Sequence, residues 1–141
     1  MLFFKKKNTS EIPSDNKGNT ASTEDYFVEG QVLYDIAKVH EVARGDMNFF
    51  KKLLNIFITQ IPDTLLKMSD AFDRNDFEAI KGLSHKIKPS VVSLGIVTIV
   101  SDLNDLEMGY NSDEAERKLR KVTAILNEVI KGLKMEIEAT S

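Results

Sequence analysis

Leu83-Ser84-His85-Lys86-Ile87-Lys88-Pro89-Ser90-Val91-Val92-Ser93-Leu94-Gly95 is the stretch on which the reading of this chain turns. Its apolar residues are Leu83, Ile87, Val91 and Leu94, continued backwards by Phe77 and Ile80. Their steps of three and four are the rhythm of one helical face. At about 100° per residue, His85 lies roughly 200° from both Leu83 and Ile87. The spacing therefore predicts a histidine that points away from the core. Its neighbours on that outer face are Glu78, Lys81, Gly82, Lys88, Pro89 and Val92. Lys81, Lys86 and Lys88 lie within about one turn and suit an imidazole that meets or carries negative charge. Lys88 is placed for its ammonium to reach a group attached to the ring. Gly82, without a side chain, leaves room for a partner to approach. A lone histidine on a charged face is ordinarily a solvated side chain and nothing more; its neighbours are what raise a chemical role.

Working outward, Gly95 is placed to end this helix. A following helix takes Ile96, Ile99, Val100, Leu103, Leu106 and Tyr110 as its inner face. Gly109-Tyr110-Asn111 reads as the next turn. Ser112 or Asn111 would cap a last helix, with Asp113 and Glu114 at its positive end. Leu119, Val122, Leu126, Val129, Leu133 and Ile137 form that helix's stripe. In the other direction, Asp76 is a cap for the histidine helix and Arg74-Asn75 a turn before it. A long helix from Met47 to Asp73 precedes the turn, with Phe49, Phe50, Leu53, Leu54, Phe57, Ile58, Ile61, Leu65, Met68 and Phe72 in register. The rhythm survives on both sides of Pro62, which predicts a kink rather than an end. The same argument applies to Pro89: a continuous helix, bent one turn after His85. Leu33, Ile36, Ala37 and Val39 mark a short first helix, closed by Gly45 and followed by a cap at Asp46. His40 on that helix has no accompanying motif and is expected at the surface or rim.

Nothing reads as a strand, and short connections make sequential helices antiparallel neighbours. The expected fold is all-α: an antiparallel up-down four-helix bundle over residues 31–141, with an additional short N-terminal helix. Residues 1–30 are rich in Ser, Thr, Asn, Lys and Glu, with no sustained period, and are expected to form a disordered tail. The opening Leu2-Phe3-Phe4 with Lys5, Lys6 and Lys7 is too small for a stable membrane anchor and has the wrong order for a signal peptide.

Composition excludes several functions. The 141 residues carry a net charge of -3, whereas nucleic-acid binding calls for a dominant basic surface. With no cysteine, disulfides, thiolate metal sites and thiol catalysis are ruled out. No apolar run spans a bilayer, so the chain is expected to be cytoplasmic; the bundle is expected to be a monomer. Bundle metal sites use Glu-x-x-His pairs, yet Gly82 and Ala37 stand three residues before the two histidines; no metal site is expected. Ser84 and Ser90 flank His85, but there is no nucleophile elbow or oxyanion segment. No glycine loop cradles a nucleotide phosphate, so any phosphate on His85 must come from elsewhere.

His85, Ile87, Lys88 and Gly95 together resemble the signature of histidine-containing phosphotransfer (HPt) domains, and the flanking helices fit in number and length. Pro89 departs from that pattern, where a small residue, often glycine, is commoner. The resemblance implies a phosphorelay intermediate without kinase activity of its own. His85 would accept a phosphoryl group from a receiver-domain phospho-aspartate and pass it to another receiver. Lys88 would stabilise the phosphoryl oxygens. Lys81 and Lys86 would steer the acidic receiver, while Gly82, Pro89 and Val92 would offer the docking surface. The implied partners are response-regulator receivers and hybrid histidine kinases. No cofactor is expected on this chain, since Mg²⁺ belongs to the receiver. The alternative is a non-phosphorylated adaptor that docks receivers or partner helices through the same face.

Overall fold

A computed structural model describes residues 26–27, 31–109 and 112–140. Five helices follow one another: α1 (Ile36–Ala43), α2 (Met47–Asp73), α3 (Phe77–Ser93), α4 (Val100–Met108) and α5 (Ser112–Ala139). No strand occurs among the described residues. The packed neighbours are α2 with α3, α3 with α4, α4 with α5, and α5 with α2, which closes a four-helix bundle. The short α1 lies against α2.

Local chemistry sets most boundaries. Asp46 accepts from the Phe49 amide at 3.1 Å and starts α2, and Asp76 does the same for α3 through Ala79. Such caps satisfy amides that the first turn leaves open. Asn75, at φ +59°, reverses the chain between α2 and α3. Its amide donates to the Phe72 carbonyl and that of Asp76 to the Ala71 carbonyl, the paired bonds of a Schellman ending. The end of α3 repeats this arrangement: Gly95 has φ +68°, with Gly95 N–H to Val92 O and Ile96 N–H to Val91 O. Glycine is required there twice over, because an added Cβ would also lie 2.5 Å from the Asp35 Cβ. The Asp35 amide in turn donates to the Leu94 carbonyl at 2.7 Å.

The core is built from the stripes. Phe50, Leu54, Ile61, Leu65 and Met68 of α2 face Ile80, Ile87 and Val91 of α3 and Leu119, Val122, Leu126, Val129 and Leu133 of α5, all buried. Each large aliphatic side chain removed from water contributes about 1.5–3 kcal/mol. Pro62 and Pro89 both lie inside continuous helices. A proline there forfeits one backbone bond, and the buried stripes on both sides offset that loss.

Four expectations need correction. The helix after Gly95 starts only at Val100, and Ile96 and Ile99 lie in the preceding turn although both are fully buried. Alternating turn geometry can aim a side chain inward as well as a helix does. Phe49 of α2 is 39% exposed, and the adjacent Phe50 takes the core position. On α1, Ala37 faces solvent while Val39 and Ala43 are buried, and Arg44 already adopts the left-handed conformation before Gly45. Tyr26 and Phe27, within the stretch expected to be a tail, pack partly buried against the core. The rest of residues 1–30, and the turn positions Tyr110 and Asn111, lie outside the described residues.

The chain ahead of α1 is tied down at a second point. The ring of Tyr34 occupies the place where a side chain on Gly132 of α5 would project; a Cβ there would come within 2.7 Å of it. The Tyr34 hydroxyl donates to Glu136 Oε2 at 3.0 Å. Burial first, and then this bond to a carboxylate, push the phenol up to about 12.

Candidate functional site

Helical spacing on α3 separates core from surface one residue at a time. Ser84 is fully buried, whereas the His85 side chain is 78% exposed. The apolar stripe forces this: burying Ile80, Ile87 and Val91 leaves His85 on the opposite side.

The ring is nevertheless held. Glu107 of α4 places Oε2 at 2.5 Å from His85 Nδ1. Its other oxygen, Oε1, accepts from Lys88 Nζ at 2.5 Å. Lys88 Nζ also donates to Asn104 Oδ1 at 2.8 Å. One carboxylate thus bridges the imidazole and the ammonium that follows it by a turn. The bond from Lys88, and then that from His85, hold Glu107 below the usual carboxylate range. An ionised carboxylate only accepts hydrogen bonds. The neutral ring therefore donates its proton from Nδ1, and the lone pair sits on Nε2.

The structure brings some expected residues together and separates others. Lys88 is in the constellation. Gly82, one turn before His85, has open space among the described residues where a Cβ would project. Pro89 is exposed and Val92 is 55% exposed, giving an apolar surface a turn or two beyond the ring. Lys86 is exposed and leans towards α2, bordering a groove with Gln60, Asp63, Thr64 and Ser90. Lys81 is engaged instead: its ammonium lies 3.2 Å from Glu78, and its stem runs beside Gly109 at the end of α4. His40 is exposed and lies flat on Phe50, ring centroids 4.1 Å apart.

Glu107 and Asn104 did not emerge from the sequence. They share a face of α4, three residues apart, beside the Leu103 and Leu106 stripe. That pattern places them near the bundle surface without saying which helix they meet. Among the described residues, no group of three or more His, Asp or Glu side chains stands close enough to hold a metal ion. No described helix is long and apolar enough to cross a membrane.

A four-helix bundle presenting an exposed imidazole, anchored by a carboxylate and flanked by a lysine one turn on, is an architecture for carrying a group rather than enclosing a substrate. Residues 52–139 match the family model of the Hpt domain, and the chain belongs to that family, whose members carry phosphoryl groups in two-component signal transduction. No curated protein and no solved structure matched the chain.

Proposed function

We propose that this protein is a phosphorelay intermediate in which His85 takes a phosphoryl group from a receiver-domain phospho-aspartate and delivers it to a second receiver. The observation that carries this reading is the Glu107 bond to Nδ1, which leaves the lone pair to Nε2 of a side chain that is 78% exposed. In the forward step Nε2 attacks phosphorus, the phosphorus–oxygen bond to aspartate breaks, and the aspartyl carboxylate leaves. The ring is then cationic until the Nδ1 proton departs to solvent, and Glu107 faces that positive charge. Lys88 offsets the charge of the phosphoryl oxygens, the common electrostatic need of phosphoryl transfer. Return of the group to a second receiver reverses the same events.

The receiver supplies the acidic pocket and Mg²⁺, so this chain acts as a carrier without kinase activity. Gly82, Pro89 and Val92 form the surface it docks against, with Lys86 steering its approach. Lys81, bound to Glu78, serves that steering less. The partners are response-regulator receivers and hybrid histidine kinases, met by a monomer in the cytoplasm.

The test is incubation with a receiver carrying labelled phospho-aspartate. Label is expected on the wild type and on His40→Gln, and none on His85→Gln or after ATP alone. Receivers that bind the wild type but never label it would instead make the protein an adaptor.

A further inference from the structure

Helix α4 is nine residues long and has no side chain capping its start. A helix this short has little stability of its own. Leu103 and Leu106 bury it in the core, but apolar contact is non-directional and fixes depth better than rotation or height. Two polar faces settle the remaining freedom. Asn104 and Glu107 meet α3, as described. On a face about 160° away, Asp102 and Asp105 meet α5. Asp102 Oδ2 lies 3.1 Å from Lys121 Nζ, and its Oδ1 3.9 Å from Lys118 Nζ; Asp105 Oδ2 lies 3.0 Å from Lys118 Nζ. The Asp102 and Lys118 side chains are each only 12% exposed. Ion pairs so withdrawn from water are directional and poorly screened.

We propose that Asp102, Asp105, Lys118 and Lys121 are positioning residues for His85: the α5 lysines set the height and rotation of α4, and thereby the placing of the Glu107 carboxylate on Nδ1. This rests on the role given above to His85 and Glu107. The four residues pair with one another on the α5 side of α4, away from Glu107. Their influence passes along one short rigid helix, pulled from one side by α5 lysines and holding the ring from the other. A displacement of α4 by a fraction of its pitch would strip Nδ1 of its acceptor, and the ring proton would be free to sit on Nε2, the atom that must attack.

The experiment reads the ring directly. Nitrogen-15 NMR of imidazole-labelled protein distinguishes the Nδ1–H from the Nε2–H tautomer of neutral His85. In the wild type the Nδ1–H form is expected to dominate. Lys121→Met keeps the stem but removes the charge, and is expected to shift the population towards Nε2–H. It should also slow phosphoryl acceptance by about tenfold, short of the roughly hundredfold or more that outright loss of a proton-handling group costs. Lys121→Arg is expected to restore both. Asp105→Asn, which removes one charge and keeps the side chain's shape, gives the same readout in milder form should Lys121→Met fail to fold. A lowered melting temperature with an unchanged His85 tautomer in these variants would overturn the inference, reducing the network to a structural one. The tautomer measurement needs no phosphate. A protein that never accepts phosphate but still shows the tautomer shift would refute the carrier reading and leave this one standing.

Discussion

Glu107 Oε2 and His85 Nδ1 are 2.5 Å apart although 22 residues separate them in the chain. The pairing makes the exposed imidazole directional: one nitrogen is committed to the protein and the other to whatever approaches. Two substitutions separate the parts of this role. Glu107→Gln keeps an oxygen acceptor for Nδ1–H but removes the charge that faces Lys88; Glu107→Ala removes both. Transfer from a phospho-receiver is expected to fall by about tenfold or more in the alanine variant, and by less in the glutamine variant. Rapid-quench kinetics with docking affinity measured in parallel would check this. Equal rates in all three proteins would leave Glu107 without a chemical part.

The same carboxylate sets an acid dependence. Because its folded value is held below the usual range by Lys88 and His85, ionised Glu107 stabilises the fold. That contribution is complete above the ordinary glutamate value and is lost as pH falls through the lowered one. Denaturant titrations of wild type and Glu107→Gln are therefore expected to differ at neutral pH and to converge in acid. A gap that stays constant down the pH scale would contradict the linkage.

Lys88 and Lys86 should fail in different ways. Lys88 faces the site, so Lys88→Ala is expected to slow transfer or shorten retention of the phosphoryl group more than it weakens docking. Lys86 is exposed on the α2 side, and Lys86→Ala should act on association rate and fade at high salt. Stopped-flow binding at two ionic strengths, beside phosphohistidine lifetimes, separates the two.

Only part of this could be read along the chain. His85 was legible as exposed because Leu83 and Ile87, two residues either way, belong to the apolar stripe, which fixes its angle from periodicity alone. Asp46, Asp76 and Gly95 were legible because caps and left-handed endings depend on local chemistry. Glu107 and Asn104 were not, because a contact between helices depends on their relative height, which no single helix encodes. The start of α4 was missed for a related reason: Ile96 and Ile99 are buried at helix-like spacing while their backbone turns.

Alkaline titration isolates Tyr34. Its phenol is raised to about 12 by burial and by Glu136, against an ordinary value of about 10. The fold favours the neutral phenol, so this stabilisation is full below the ordinary value and is lost as pH climbs through the raised one. Following phenolate absorbance, the latest-ionising of the three tyrosines is expected to vanish in Tyr34→Phe. If it persists, Tyr26 or Tyr110 is its source.

Gly95→Ala combines two penalties, a left-handed backbone and a Cβ 2.5 Å from that of Asp35. It is expected to cost about 2 kcal/mol or more, read from denaturant midpoints. Gly82→Ala, with open space around it, makes the contrast: any stability it changes should come from helix propensity, while receiver docking suffers.

The close approach of Gly95 to Asp35 also bears on where this molecule can be cut. The family match opens at residue 52, already inside α2. Yet the far end of the histidine helix is plugged by chain that comes earlier: Asp35 donates to Leu94, and Leu33, Val39 and Ala43 close the core. A fragment excised at the family boundary would keep every residue of the His85 constellation. It would lose the Asp46 cap of α2 and leave the bundle open at the base of α3. The region by which the protein is recognised and the unit that must fold as a piece do not have the same first residue.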